Sequence, residues 1–357
     1  MDSANPAENL AGRTIGDTWL VVERISLSET GSTGGFFSIP YKVKNVKSGQ
    51  VAFMKVLDVV KALSRYGEHG VGVAETMSRL GSAHIFEVAL MDACREKKLN
   101  RIVNALDSGE FPLEITPIGK IGFPYLIFEL GDGDTYAIIQ AFTKLDHAWW
   151  FHTLHQVAVG LKQLHSIDIA HQDIKASNVV FFGQENAKLA DLGRAVRRGV
   201  HSLNDERLVA GDGRHAPPEC YYNYTTPDWA ERHFSTDLYL LGSLAFVAFA
   251  RVSMTYAIFA RVPPEFLPQN SQGRPYNDVI PALTNGLAKV LAEIRGEVPE
   301  PLRDLFFATL QQLCHPDPCK RGHPHNHQMA HGQRFSTERY ISAFRQMELI
   351  TRLQVGG

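Results

Sequence analysis

The stretch His171-Gln172-Asp173-Ile174-Lys175-Ala176-Ser177-Asn178 sets a Lys two positions and an Asn five positions after an Asp. On one short loop these side chains supply an acceptor for a hydroxyl proton, a cation for a phosphate and an oxygen ligand for a metal. Asp191-Leu192-Gly193, shortly downstream, adds a carboxylate of the kind that Mg²⁺ bridging phosphates requires. The chemistry open to this set is phosphoryl transfer to a hydroxyl. No G-x-x-x-x-G-K-[ST] exists anywhere, since Gly119-Lys120 is followed by Ile121, so a P-loop enzyme is disfavoured.

Positioning such a loop requires elements before and after it. HAWWFHTLHQVAVGLKQLHSI, immediately upstream, has the spacing of a strong amphipathic helix, and the apolar run VVFF follows directly. Further toward the N-terminus, WLVVERISL, YKVKNV and VAFMKVL read as strands, with Lys47-Ser48-Gly49-Gln50 as a hairpin signal. Residues 58–106 read as helical, and two strand-like runs are expected around ITPIGKI and PYLIFEL. Helices are expected to dominate from about residue 218. The division expected is a polar, flexible tail over 1–13, a β-rich part over 14–130 and a mainly helical part over 131–357, with Gly131 and Gly133 at the junction.

Composition narrows the class. Hydrophobic residues are 44% and charged residues 21% of 357, enough for a sizeable core and unlike a disordered or collagenous chain. Lys+Arg 36 against Asp+Glu 38 gives −2, so no global charge imbalance points to nucleic acid or an anionic membrane. Four cysteines without a C-x-x-C pair suit reduced thiols better than a disulfide scaffold or a zinc ribbon. The run Leu238 to Ala250, between Asp237 and Arg251, is shorter than the ~20 residues of a membrane span and reads as a buried helix. The N-terminus has neither the basic start nor the apolar stretch of a signal peptide, and the expectation is a cytoplasmic protein.

In ordered motifs over roughly residues 18–350, the sequence resembles the eukaryotic-like Ser/Thr protein kinase family. HQDIKASN is similar to the catalytic loop H-R-D-x-x-x-x-N, and Asp191-Leu192-Gly193 to D-F-G. Val51-Ala52-Phe53-Met54-Lys55 resembles V-A-I-K, and Ala216-Pro217-Pro218-Glu219 resembles A-P-E. Asp237 stands where the family's buried helix ties down the catalytic loop, and Arg321 where a late Arg pairs with Glu219.

The resemblance implies an α+β, two-lobed fold, with ATP and Mg²⁺ as cofactors and a protein substrate carrying Ser or Thr. It implies Asp173 for the hydroxyl proton, Lys175 for the transferring phosphoryl group, and Asn178 and Asp191 for the metal. It also implies Lys55 for the α/β-phosphates, oriented by a helical Glu; Glu87 is the best candidate, with Asp92 and Glu96 as alternatives. Gly31, Gly34 and Gly35, in TGSTGGFF, are expected over the phosphates. Phe128 is the implied gatekeeper, and Glu129 to Gly131 the adenine-contacting hinge. Asp134 is either a ribose ligand or a surface Asp after a glycine turn.

Three departures from the family pattern carry expectations. Gln172 replaces the Arg that often clasps an activation-segment phosphate. Between Gly193 and Ala216 the only hydroxyl is Ser202, beside Arg194, Arg197, Arg198 and Arg207 and the acids Asp205 and Glu206. Activity without a phosphate there, with ion pairs ordering the segment, is the expectation. Asp212 occupies a usual Thr position, which suggests a substrate with basic residues near the acceptor. His315, His323, His325, His327 and His331 are read either as a zinc site or as a solvated loop, the loop being favoured. The rival functions are an aminoglycoside-kinase-like small-molecule phosphotransferase, which lacks a counterpart of Lys175, and a pseudokinase scaffold.

Overall fold

The computed structural model describes residues 5–25, 37–115, 119–142, 145–183, 185–271, 273–328 and 334–355. Six strands make one antiparallel sheet in the order β1-β2-β3-β4-β6-β5: β1 (Thr14–Ile15), β2 (Trp19–Arg24), β3 (Ser38–Asn45), β4 (Val51–Leu57), β5 (Ala105–Ile115) and β6 (Gly119–Glu129). Alternation along β4 buries Ala52, Met54 and Val56 in the sheet's core and turns Phe53 and Lys55 to the other face. Gly49, at φ +76°, closes the turn between β3 and β4.

Residues 5–13 correct the expectation of a flexible tail. Ala7 and Leu10 are fully buried among Tyr41, Val43 and Ile15, and the Tyr41 hydroxyl donates to the Ala7 carbonyl at 2.5 Å. Asn5 Nδ2 donates to Asp58 Oδ1 at 2.8 Å. Two small apolar side chains in a polar stretch are too few for a periodicity signal, yet they cover the sheet's outer face. A second correction concerns ITPIGKI. It is no separate strand: Ile115 ends β5, Gly119, Lys120 and Ile121 begin β6, and residues 116–118 lie outside the described residues.

The 58–106 region is two helices, α1 (Val59–Gly67) and α2 (Val73–Glu96). Asp58 caps α1 by accepting from Lys61 N, and Gly70 at φ +76° lies in the break between them. The C-terminal half of α2 packs Leu90, Met91 and Cys94 into the larger lobe's core together with Leu126 and Phe128. That anchorage fixes the height and rotation of Glu87, one turn earlier.

After β6 come β7 (Gly133–Asp134), α3 (Thr135–Ala141) and α4 (His147–His165). The short pieces β8 (Ile169–Ala170), β9 (Val179–Phe182), β10 (Asn186–Leu189) and β11 (Val196–Arg197) follow, forming the small sheets β10-β9-β7 and β11-β8. The remaining elements are α5 (Pro218–Tyr221), α6 (Trp229–Ala250), α7 (Met254–Phe259), α8 (Tyr276–Glu293), α9 (Arg303–Leu313), α10 (Pro324–His327) and α11 (Glu338–Val355). Helix α6 is long and apolar enough to cross a membrane by composition, but its apolar window is 67% buried, as in a core helix. Trp150 and Phe151 of α4 are also fully buried. The chain is thus a β-sheet lobe joined to a helical lobe.

Candidate active site

Lys55 Nζ is 3.1 Å from both Glu87 Oε1 and Asp191 Oδ1. Of the three helix acids considered, Glu87 makes the contact. Burial alone would drive the ammonium toward neutrality, but the two carboxylates outweigh it and raise the Lys55 pKa. Asp191 is held at about 2, its own burial overcome chiefly by Lys55. Both groups stay ionised across the neutral range. Asp191 sits at φ +64°, a conformation few non-glycine residues adopt, and its Oδ1 also accepts from Gly193 N at 3.3 Å.

Asp173 is buried, with both carboxylate oxygens engaged. Oδ1 accepts from the backbone N of Asp212 at 2.8 Å. Oδ2 is 3.0 Å from Lys175 Nζ and accepts from Asn178 Nδ2 at 2.9 Å. Asn178 also donates to the Asp173 carbonyl at 2.8 Å. With its amide nitrogen directed at Asp173, Asn178 keeps its carbonyl oxygen as an acceptor. That oxygen and the Asp191 carboxylate are the hard donors Mg²⁺ prefers, so the residues present fit the ion the resemblance implies.

Asp237 holds the loop from below. Its carboxylate accepts from the backbone N of His171 and of Gln172, each at 2.8 Å, and from Gln172 Nε2 at 3.1 Å. Gln172 Nε2 also donates to the His233 carbonyl at 2.8 Å, and Gln172 Oε1 lies 3.0 Å from His233 Nδ1. Burial lowers the His233 pKa to about 4, so His233 itself is neutral at neutral pH. Gln172 is itself buried, at φ +63°.

The residues expected at the hinge behave differently from one another. The Glu129 carboxylate is taken up by Asn104 N at 2.7 Å and Lys188 Nζ at 2.6 Å, and its backbone N–H donates to the Asn104 carbonyl at 3.1 Å. At Gly131 an added Cβ would stand 2.1 Å from Val180 Cγ1 and 2.8 Å from the Phe181 carbonyl, so only glycine lets the hinge pass this close to β9. Asp134 caps α3, accepting from Ala137 N at 2.9 Å, and burial pushes its carboxyl up; the helix cap is the role the structure gives it. Gly31, Gly34 and Gly35 lie outside the described residues. Among the described residues no group of three or more His, Cys, Asp and Glu side chains is placed to share a metal ion, and His331 of the histidine-rich stretch lies outside them.

Sequence reading missed two residues that shape the site. Thr135, buried at the start of α3, donates through Oγ1 to the Ala176 carbonyl at 2.5 Å and so ties the hinge helix to the catalytic loop. Gly211 packs on the same loop. A Cβ there would meet the Gln172 carbonyl at 2.3 Å and Asp173 Oδ1 at 2.7 Å. Its position directly before Asp212 was the available signal. Gly211→Ala should therefore displace the Asp212 N–Asp173 hydrogen bond, costing about 1–3 kcal/mol of stability by overpacking. Turnover should fall more than tenfold with nucleotide-induced thermal stabilisation retained; wild-type turnover would show that this contact does not position Asp173.

The activation segment is ordered, though not by the ion pairs expected within it. Asn204 Nδ2 donates to the Gly193 and Ala195 carbonyls, both at 3.1 Å. Arg232 of α6 donates to the carbonyls of Asp205 and Arg207 at 3.0 and 3.1 Å. Asp205 accepts from Ser202, and Glu206 pairs with His201 at 3.3 Å, so neither acid meets an arginine of the segment. Ser202 is buried. Arg198 stacks over Trp229 at 5.0 Å.

The family model for the protein kinase domain matches residues 31–256. The chain is 34% identical over 111 residues to a stress-activated protein kinase JNK of Drosophila melanogaster, covering 30% of this chain and 29% of that protein. It is 38% identical over 123 residues to mitogen-activated protein kinase 5 of Arabidopsis thaliana, 33% and 32% of the two chains. An Aurora kinase of Debaryomyces hansenii is 28% identical over 123 residues, 34% and 28% of the two. These matches span about a third of each relative's length. With a domain match running from the glycine-rich segment past α6, and the Lys55–Glu87–Asp191 contacts in place at its centre, this chain belongs to the eukaryotic-like protein kinase family.

Proposed function

We propose that the chain is an active, ATP- and Mg²⁺-dependent protein kinase acting on Ser or Thr hydroxyls. The observation that carries this reading is the double contact of Lys55, to Glu87 and to Asp191, alongside the fully bonded Asp173. Lys55 would bind the α/β-phosphates, with Glu87 fixing its height. Asp173 orients the acceptor hydroxyl and takes its proton, and Lys175 neutralises charge on the transferring group. Asn178 and Asp191 would hold Mg²⁺, which would supply positive charge to offset that of the phosphates. The Ser/Thr assignment rests on Lys175. The ordered activation segment supports a protein substrate over a small molecule, and the intact charged set supports catalysis over a scaffold role.

The same reading holds that no activation-segment phosphate is needed. Gln172 is uncharged and spent on Asp237 and His233, so it offers nothing to a phosphate of roughly −2. Phosphatase treatment should leave the initial rate unchanged. Ser202→Ala should do the same, at a stability cost of about 0.5–1.5 kcal/mol for the lost hydrogen bond to Asp205. Loss of activity with the fold preserved would make the segment a switch. The reading as a whole is tested by thermal shift with ATP, with and without Mg²⁺, beside phosphate transfer to Ser, Thr and Tyr peptides. Absence of both nucleotide binding and transfer would refute it.

A further inference from the structure

Beside the catalytic loop lies a cleft of about 580 Å³, bounded by α3, the end of α6 and α7. Tyr136, Val247, Tyr256 and Phe259 supply aromatic and aliphatic walls. The charged residues lining it, among those described, are Lys175, Arg214, Arg251 and Asp212. His215 is there too, but burial lowers its pKa and leaves it neutral at pH 7. Three cations thus face one carboxylate.

How those cations are spent decides what the cleft can bind. Lys175 is matched by Asp173 at 3.0 Å. Asp212 is gripped by Arg214 through Nη2–Oδ2 at 2.8 Å and Nε–Oδ1 at 3.1 Å, and is held at about 2, burial being overcome chiefly by Arg214. A basic substrate residue would therefore have to displace Arg214, which removes the ground for expecting one. Arg214 is 77% exposed against 12% for Asp212, so the pair turns its cationic end outward. Arg251 donates to the carbonyls of Ile139 and Phe142 and meets no carboxylate within 4.0 Å among the described residues. Each guanidinium has five N–H donors, and each uses only part of that set here.

We propose that this cleft selects an acidic residue, Asp or Glu, close to the phosphoacceptor, with Arg251 and the outer edge of Arg214 as the specificity-determining groups. Arg214 is two ionic contacts from Lys175, through Asp212. At about 3.3 Å per extended residue, the acidic side chain falls within about three residues of the acceptor. The apolar walls line part of the cleft, but Arg214 and Arg251 stay exposed, so the pair is only partly shielded from water. The inference rests on the protein kinase reading above and deepens it.

The test uses the full chain with Ser peptides that differ only in carrying Glu, Ala or Lys at single positions within three residues of the acceptor. At one or more positions kcat/KM should run Glu > Ala > Lys, with Glu about 5–10-fold over Ala, the scale of one partly shielded charge pair. Arg251→Gln should flatten that order and Arg214→Glu should reverse it. Thermal melting establishes which variants fold, and if one does not, the other decides. Transfer to all three peptides at equal rates, or a preference for Lys, overturns the cleft assignment and leaves the kinase reading standing. A Glu preference that survives in every folded variant also overturns it. No transfer to any peptide by the wild type refutes the kinase reading, and this inference with it.

Discussion

Arg321→Ala should unfold at a much lower temperature than the wild type. Arg321 is completely buried, and its Nη1 and Nη2 each lie 2.5 Å from an oxygen of the Glu219 carboxylate. Nε donates to the His315 carbonyl at 2.7 Å, Nη2 to the Pro316 carbonyl at 3.2 Å, and the guanidinium lies 4.8 Å from the centre of the Tyr239 ring. The residue therefore clips the loop before α10 to the end of the activation segment and to α6. Truncation leaves the Glu219 carboxylate in the interior without a counter-charge and takes the Nε donor from the His315 carbonyl, while the Pro316 carbonyl keeps the Tyr276 hydroxyl at 2.8 Å. Breaking such a buried pair costs about 3–5 kcal/mol. At roughly 2–4 °C per kcal/mol for domains somewhat smaller than this one, the midpoint should fall by roughly 6–20 °C. Arg321→Lys keeps the charge but not the two-pronged geometry, and should fall between. Removing both partners should cost less than the sum of the single truncations, because neither then leaves an orphaned charge. A midpoint equal to the wild type's would mean that the pair contributes nothing net to the helical lobe.

The parts of this architecture legible in the sequence are those where local pattern and site coincide. The strand-like run VAFMKVL put Lys55 on a strand, where it is found, and the burial pattern along β4 turns it away from the core face. The spacing of Asp173, Lys175 and Asn178 put three groups on one loop, and their hydrogen bonds close among themselves. Glu87 was harder to single out, since its register depends on where α2 packs Leu90, Met91 and Cys94 against the helical lobe, a long-range matter. The burial of Ala7 and Leu10 was not legible because it depends on an uncovered sheet face that exists only after folding. Arg214 was not legible either. That its guanidinium meets Asp212, and so changes the sign of what the cleft presents, follows from the backbone path after Gly211, where the sequence offers only two charged residues at i and i+2.

The Asp173→Asn protein should keep its fold and lose phosphoryl transfer by about 10²–10⁴-fold, the range for a positioned acid/base group. The substitution is isosteric, but the surroundings of this side chain are all donors: Asp212 N on Oδ1, Lys175 Nζ and Asn178 Nδ2 on Oδ2. Whichever way the new amide is turned, its NH₂ faces at least one donor and forfeits a bond. The local penalty is about 1–3 kcal/mol, so a modest drop in melting temperature should accompany the loss of rate. ATP-induced stabilisation should persist, since Lys55, Glu87 and Asp191 form a separate cluster that Asp173 does not enter. Asp191→Asn is the counterpart. It removes a carboxylate held at about 2 by Lys55, so it should weaken the response to Mg²⁺ with ATP well before it alters the response to the peptide. The two variants thus separate the group that handles the hydroxyl proton from the group that holds the metal. Wild-type turnover in the Asp173→Asn protein would refute the role given to Asp173, because among the described residues the other carboxylate paired with Lys175, Asp212, is already committed to Arg214.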